Sequence, residues 1–245
     1  MVSGGMEGSL DDPRRTARVT GLWYLALAIT GMLGFLVVRP QVWVVDDPSA
    51  TFANLIADGG LARLGLVLEF GIVVSQAAVA VWFYRLFRGV NQPAAFALGV
   101  FGMANAAAIM ASAVFLATAI AVAEGPAGSL GGDPVATIGL LTELSSNAWG
   151  VGALFFGLWL IPMGYIAATS GLMPTWLGRI LVVGGVGYTL SAFVSYGMAD
   201  APAWLIEGIT IPATIGEVWM VGYLLIFGVR RSDEVAPAMV PAVAR

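Results

Sequence analysis

The chain has 245 residues, of which 59% are hydrophobic and only 11% are charged, and its formal net charge is −4 at pH 7. Soluble domains carry about 25% charged residues, so this composition, with a mean hydropathy of +0.88, excludes an ordinary soluble protein. Cysteine and histidine are both absent, which excludes disulfides, thiolate chemistry, Cys-ligated metal centres and the usual histidine base. We therefore expect no metal and no cofactor.

Six apolar runs are long enough to cross a bilayer, which requires about 20 mostly apolar residues. In chain order they cover approximately 18–38, 61–83, 93–123, 135–168, 176–198 and 205–229, with Arg39–Pro40 closing the first. The predicted fold class is an all-α polytopic integral membrane bundle of six transmembrane helices. Residues 1–16 are predicted to be a flexible leader, 17–231 the membrane domain, and 232–245 a flexible tail.

The connection between the first two spans, PQVWVVDDPSATFANLIADGG, is long enough to hold a short helix at about 51–57. Ser49 or Thr51 is the expected N-cap, and Gly59–Gly60 is expected to end this helix. The segment could form a lid over an outward-facing cavity. A connector lying at the membrane interface is the favoured interpretation.

The distribution of arginines predicts the orientation. Two arginines, Arg39 and Arg63, fall on one side of this scheme, and the remaining nine fall on the other: Arg14, Arg15, Arg18, Arg85, Arg88, Arg179, Arg230, Arg231 and Arg245. Because cytoplasmic loops carry the excess of positive charge, both termini are expected in the cytoplasm. The lipid bilayer is therefore a partner, and the lack of a basic stripe argues against nucleic acid.

Each even-numbered span carries one glutamate in its outer part. Glu69, Glu143 and Glu217 are separated by 74 residues in each interval, a pattern that three helix-hairpin repeats would produce. A carboxylate that faces lipid costs a few kcal/mol, so these groups are expected to face the bundle interior. They are our candidate catalytic residues, because a carboxyl group in an apolar pocket can donate or carry a proton.

Polar and aromatic side chains near these glutamates complete a predicted pocket in the outer half of the bundle. The candidate ligand-binding residues are Gln76, Asn105, Asn147, Trp149, Trp219, Arg39 and Arg63. A purely structural interpretation competes with this one, since Arg39 or Arg63 could form an interfacial ion pair with Glu69 or Glu143. Tyr24 and Trp159 are among the aromatics that we expect in an interface belt.

Three segments resemble a known family: RRTARVTGLWYLALAITG, LFFGLWLIPMGYIAATSGLMPTWLGRILVVGGVGY and IPATIGEVW. They are similar to bacterial six-span membrane proteins known as domain of unknown function 4386. The resemblance covers approximately residues 14–231, and it implies six spans and the plasma membrane. It implies no activity and no catalytic residue.

Three functions are compatible with the sequence. The first is a pocket that binds a lipophilic small molecule and could transform it by acid–base chemistry. The second is a proton- or cation-coupled transporter or channel, although the cytoplasmic halves AVAVWFYRLF, ALFFGLWLIPM and VGYLLIFGV are almost wholly apolar. The third is a non-catalytic membrane subunit whose glutamates are structural.

Overall fold

The computed structural model describes residues 12–125 and 132–230, and within these ranges the regular structure is entirely helical. Helix α1 spans Pro13–Met32 and continues through a π-helical segment, Leu33–Val38, into α2, Arg39–Val42. The remaining helices are α3 Pro48–Ala57, α4 Gly59–Phe87, α5 Gln92–Glu124, α6 Pro134–Thr169, α7 Thr175–Gly197 and α8 Ala203–Ile226. The continuous segment Pro13–Val42 and helices α4 to α8 are six segments long and apolar enough to cross a membrane. The predicted six-span helical bundle is confirmed.

Helix α1 begins earlier than the sequence pattern predicted. Proline is well suited to a first turn, because the N–H groups there have no helical partner. The Asp12 carboxylate accepts a hydrogen bond from the backbone N–H of Arg14 at 3.0 Å. Residues 13–16, assigned to the leader, are therefore helical. Residues 1–11 of that leader and the predicted tail lie outside the described residues, as do Arg231 and Arg245.

The first span does not end at Arg39–Pro40, as the sequence suggested, but continues to Val42. Pro40 has no N–H, and its ring crowds the carbonyl of the residue four positions before it. The helix accommodates the proline with a π-helical turn, in which the Arg39 N–H donates to the carbonyl oxygen of Gly34. Such widened turns often occur at functional sites, and this one carries Phe35.

The predicted short helix in the first connection is present as α3, but its boundaries differ. Asp47 is the N-cap, not Ser49 or Thr51, and its carboxylate accepts from the Ala50 N–H at 2.9 Å. Gly59–Gly60 do not end a helix here, because α4 already begins at Gly59. Only Asp58 therefore separates α3 from α4.

The chain divides into two compact units. Unit 2 consists of Leu25–Ala77 and Met103–Ala153, and unit 1 takes in the residues up to Tyr24, Ala78–Gly102 and the residues from Leu154 onward. A hydrophobic core of unit 2 is formed by buried apolar side chains of several helices, among them Val42, Trp43, Leu55, Leu116 and Ile138.

Unit 1 contains an aromatic core and a close helix pair. Tyr24 and Trp159 are 2% and 0% exposed, so their predicted place in an interface belt is wrong. Their ring centroids lie 5.5 Å apart in an edge-to-face contact. The glycine-rich run of α7 packs on α8, and a Cβ atom at Gly184 would overlap the backbone of Ala213. The run VVGGVGY thus forms a small-residue packing face against α8.

Candidate functional site

Glu69 is the buried carboxylate of unit 2, with 5% of its surface exposed. It accepts a hydrogen bond from Nε1 of Trp149 at 2.8 Å and another from the Ser112 hydroxyl. Ser112 is in turn hydrogen-bonded to Ser145, with the two hydroxyl oxygens 2.8 Å apart. Three helices, α4, α5 and α6, thus contribute to one buried network centred on a carboxylate.

Arg39 lies near this network but is held by neutral groups. Its guanidinium stacks over the Phe35 ring at 5.2 Å and donates from Nη2 to Oγ of Ser146 at 3.2 Å. Among the described residues, no carboxylate oxygen lies within 4.0 Å of it. The Phe35 ring also packs edge-to-face on Trp149, with centroids 4.4 Å apart. Arg39 interacts electrostatically with Glu69 without forming a direct ion pair.

Two cavities adjoin Arg39 within unit 2. The larger has a volume of about 540 Å³, and its wall includes Glu143, Ser146, Asp46 and Thr51. The smaller has a volume of about 20 Å³ and contains Glu69 in its wall. Three residues line both cavities and therefore form the wall between them: Phe35, Arg39 and Trp43. The smaller volume is about that required by one water molecule.

Three further predicted site residues of unit 2, Glu143, Asn147 and Arg63, lie in different surroundings. Glu143 is exposed and lines the larger cavity, and Nδ2 of Asn147 donates to its backbone carbonyl at 3.0 Å. The structural interpretation suggested that Arg63 could pair with Glu69 or Glu143. Arg63 pairs instead with Glu124. The ion pair is largely exposed. Arg63 lines neither of the cavities beside Arg39.

Gln76 and Asn105 lie deeper in unit 2. Each is seven residues from a member of the Glu69 network, since Gln76 follows Glu69 on α4 and Asn105 precedes Ser112 on α5. Residues seven apart share a helix face. Gln76 is fully buried and neither polar atom of its amide has a hydrogen-bond partner among the described residues. Asn105 is 3% exposed and lies beside Gly152 of α6.

Glu217 belongs to unit 1 and has a different environment. It accepts a 2.5 Å hydrogen bond from the hydroxyl of Tyr24 and interacts electrostatically with Tyr188. Edge-to-face contacts of Tyr24 with Phe83 and Trp159 make this an aromatic setting. Glu217 lines neither of the cavities beside Arg39.

Trp219 was predicted to be a wall of the glutamate pocket. It lines instead a separate cavity of unit 1 that also includes Arg14 and Arg230. The reason is helical geometry, because residues two positions apart on a helix point in different directions. Trp219 is therefore directed away from the side of α8 that carries Glu217.

Several site residues were missed by the sequence analysis. The sequence analysis did not select Phe35, Ser112, Ser145 or Ser146 as site residues. Phe35 could have been found from its position four residues before Arg39, the spacing at which side chains on a helix meet. The serines have no comparable signal, since a membrane helix can satisfy a hydroxyl with its own backbone carbonyl.

The six apolar helices and the absence of a strand among the described residues define a multi-pass integral membrane protein. The chain belongs to the family described as domain of unknown function DUF4386, whose model matches residues 19–228. An uncharacterized protein of Archaeoglobus fulgidus is 29% identical over 86 residues, which are 35% of this chain and 49% of that protein. The chain thus spans about half the length of that relative. No solved structure matches the chain.

Proposed function

We propose that unit 2 binds a lipophilic small molecule in the cavity beside Arg39 and that Glu69 exchanges a proton with the bound molecule. The observation that carries this proposal is the setting of Arg39. Arg39 lies three residues before the end of the first membrane-spanning segment, where an arginine commonly extends to the interface or pairs with an opposite charge. Arg39 instead rests on Phe35 and Ser146, which leaves most of the five guanidinium N–H donors for a ligand.

The charges around the cavity limit the kind of ligand. Arg39 offers donors, and the exposed carboxyl groups of Glu143, Asp46 and Asp47 offer acceptors elsewhere on the wall. Aromatic and aliphatic side chains, including Trp43 and Val44, supply the apolar remainder. A volume of about 540 Å³ lies in the range of small-molecule pockets. The ligand we propose is apolar over most of its length, with a polar end that accepts from Arg39 and donates to Glu143.

Glu69 supports the acid–base part of the proposal. Its carboxylate has two neutral donors and lies beside a cavity that suits one water molecule. A proton could pass between such a carboxyl group and a ligand through one water, which is a recognised arrangement for general acids and bases. Arg39, Phe35 and Trp43 would separate the proton carrier from the ligand until they move.

Arg39→Gln is expected to remove at least 90% of a small molecule that co-purifies with the wild-type protein in mild detergent. The substitution removes the charge and three of the five N–H donors, and a charge-assisted hydrogen bond is roughly twice as strong as a neutral one. Mass spectrometry of the extracted molecules measures the retention. Arg63→Gln is the matched control, because it changes the same residue type at an exposed ion pair. If both variants retain only the bulk phospholipids of the wild type, the binding proposal fails.

Coupled transport is the second candidate, and Gln76 favours it. Burying an amide without a hydrogen-bond partner costs about 1–3 kcal/mol of folding free energy. A water molecule or an ion bound near Gln76 would offset that cost. Glu69, Gln76 and Asn105 would then continue a polar track inward from the cavity. Proton flux into liposomes that Gln76→Leu abolishes would establish transport in place of the first proposal.

We further propose that both termini lie in the cytoplasm and that the protein resides in the plasma membrane, on the basis of the arginine distribution. The chain has no cysteine, so single cysteines report topology without background. A membrane-impermeant maleimide should label Ser49→Cys on intact cells and Gly89→Cys only after lysis. Both positions are exposed. The opposite labelling pattern would reverse the orientation.

A further inference from the structure

A separate cavity of unit 1 lies where the start of α1, the connection from α6 to α7 and the end of α8 meet. Its volume is about 440 Å³. Two arginines, Arg14 and Arg230, contribute to its wall, and no acidic side chain does so among the described residues. The two arginines are therefore the charged groups that the described residues contribute to this wall.

The backbone is arranged to hold the two arginines at one place. Gly228 has a φ of +71° and lies close to the start of α1. A Cβ atom added at Gly228 would lie 3.5 Å from Cα of Arg14. Such a left-handed turn is most readily adopted by glycine. After this turn, the Arg230 N–H donates to the carbonyl oxygen of Leu172 at 3.0 Å. The hydroxyl of Tyr223 donates to the same carbonyl at 3.4 Å.

An aromatic stripe runs along α8 below these arginines. Trp219, Tyr223 and Phe227 follow one another at intervals of four residues and all line the cavity. At a rise of 1.5 Å per residue the stripe is about 12 Å long. Trp219 and Phe227 are 40% and 63% exposed, so the stripe offers an apolar surface that the described part of the chain leaves uncovered.

We propose that this cavity binds an anionic phospholipid, with the phosphate of the head group on Arg14 and Arg230 and an acyl chain along the aromatic stripe. Guanidinium groups match phosphate oxygens in geometry and charge, and basic pockets at one end of membrane helices bind anionic lipid head groups. A free phosphate ion would use the arginines alone. The stripe extends into the membrane-spanning part of α8 and distinguishes a lipid from free phosphate. The proposal is independent of the site in unit 2.

Native mass spectrometry of the full chain in mild detergent tests this site. Titration with phosphatidylglycerol is expected to show one lipid retained more tightly than phosphatidylcholine. The double variant Arg14→Gln/Arg230→Gln should weaken that retention about 25-fold, the product of two arginine contributions of about fivefold each. Arg88→Gln/Arg179→Gln is the matched control with the same change in charge. Arg88 is exposed and Arg179 stacks on Trp176 at 4.7 Å, so the control should leave retention unchanged.

Three results would overturn the proposal. Equal weakening in both double variants would indicate a diffuse basic surface without a defined site. Equal retention of phosphatidylcholine and phosphatidylglycerol would remove the role of head-group charge. Displacement of phosphatidylglycerol by millimolar inorganic phosphate would assign the arginines to free phosphate. The last two comparisons use the wild-type protein, so they decide the matter even if the double variant does not fold.

Discussion

Gly184→Ala is expected to lower the unfolding temperature of the purified protein by about 6–12 °C, the shift that roughly 3 kcal/mol produces in a chain of this size. A single added methyl group at this position of α7 would overlap the backbone of Ala213 in α8. Backbone cannot rotate away as a flexible side chain can, so the two helices would have to separate. Thermal unfolding in detergent, followed by circular dichroism, measures the effect.

Gly222→Ala is the matched control for this prediction. Gly222 lies within α8, and a Cβ atom there would meet nothing within 4 Å. Alanine is favoured over glycine in a helix by about 0.5–1 kcal/mol, so this variant should be unchanged or slightly more stable. The same substitution thus has opposite expected signs at two positions of one helix pair. A loss of stability at Gly222 as large as that at Gly184 would contradict this account of the packing.

Glu69→Gln is expected to raise the unfolding temperature or leave it unchanged, while removing the pH dependence of ligand retention. The amide oxygen of glutamine can still accept from Nε1 of Trp149 and from Ser112, so the network keeps its acceptor. The cost of placing a carboxylate in a membrane span, a few kcal/mol, disappears. Proton exchange with the ligand disappears with it. Unfolding measurements and mass spectrometry across a pH series test the two effects together.

The expected gain in stability separates a functional carboxylate from a structural one. Residues that serve function are often retained at the expense of stability, whereas a carboxylate that only ties helices together should stabilise them. Glu124→Gln is the control, because it removes an exposed carboxylate of the same type, paired with Arg63. Exposed pairs contribute about 0–1 kcal/mol, so little change is expected there. A lower unfolding temperature in Glu69→Gln alone would support the structural interpretation of Glu69.

The comparison of Glu69 with Glu217 shows that the sequence pattern predicts where the glutamates lie along their helices but not which side chains they contact. Both were placed in outer parts of even-numbered spans, and both are found hydrogen-bonded to an aromatic donor, Trp149 in one case and Tyr24 in the other. The pattern could not assign these partners, because they come from other helices. The threefold hairpin repeat that the spacing suggested stays a prediction.

The side-chain partners of Arg39 and Arg63 also could not be predicted from the sequence. Both arginines lie near an end of a membrane-spanning segment, and the sequence analysis considered each equally able to pair with Glu69 or Glu143. The structure pairs Arg63 with Glu124 at the end of α5 and leaves Arg39 on Phe35 and Ser146. Arg39 directly follows the π-helical turn Leu33–Val38. That turn changes the direction in which residues after it point, and hydropathy contains no information about it.

By itself, the sequence determined the six spans, because a bilayer requires about 20 apolar residues for each crossing and satisfies backbone hydrogen bonds only within helices. The sequence also determined which side chains are available for acid–base chemistry, because it contains no cysteine and no histidine. Only the tertiary structure decided which helices meet and therefore which polar groups share a cavity. Within a membrane, helix packing depends on the local fit of small and large side chains. That fit joined Glu69 to Trp149 and Ser112, and it placed Trp219 with Arg14 and Arg230.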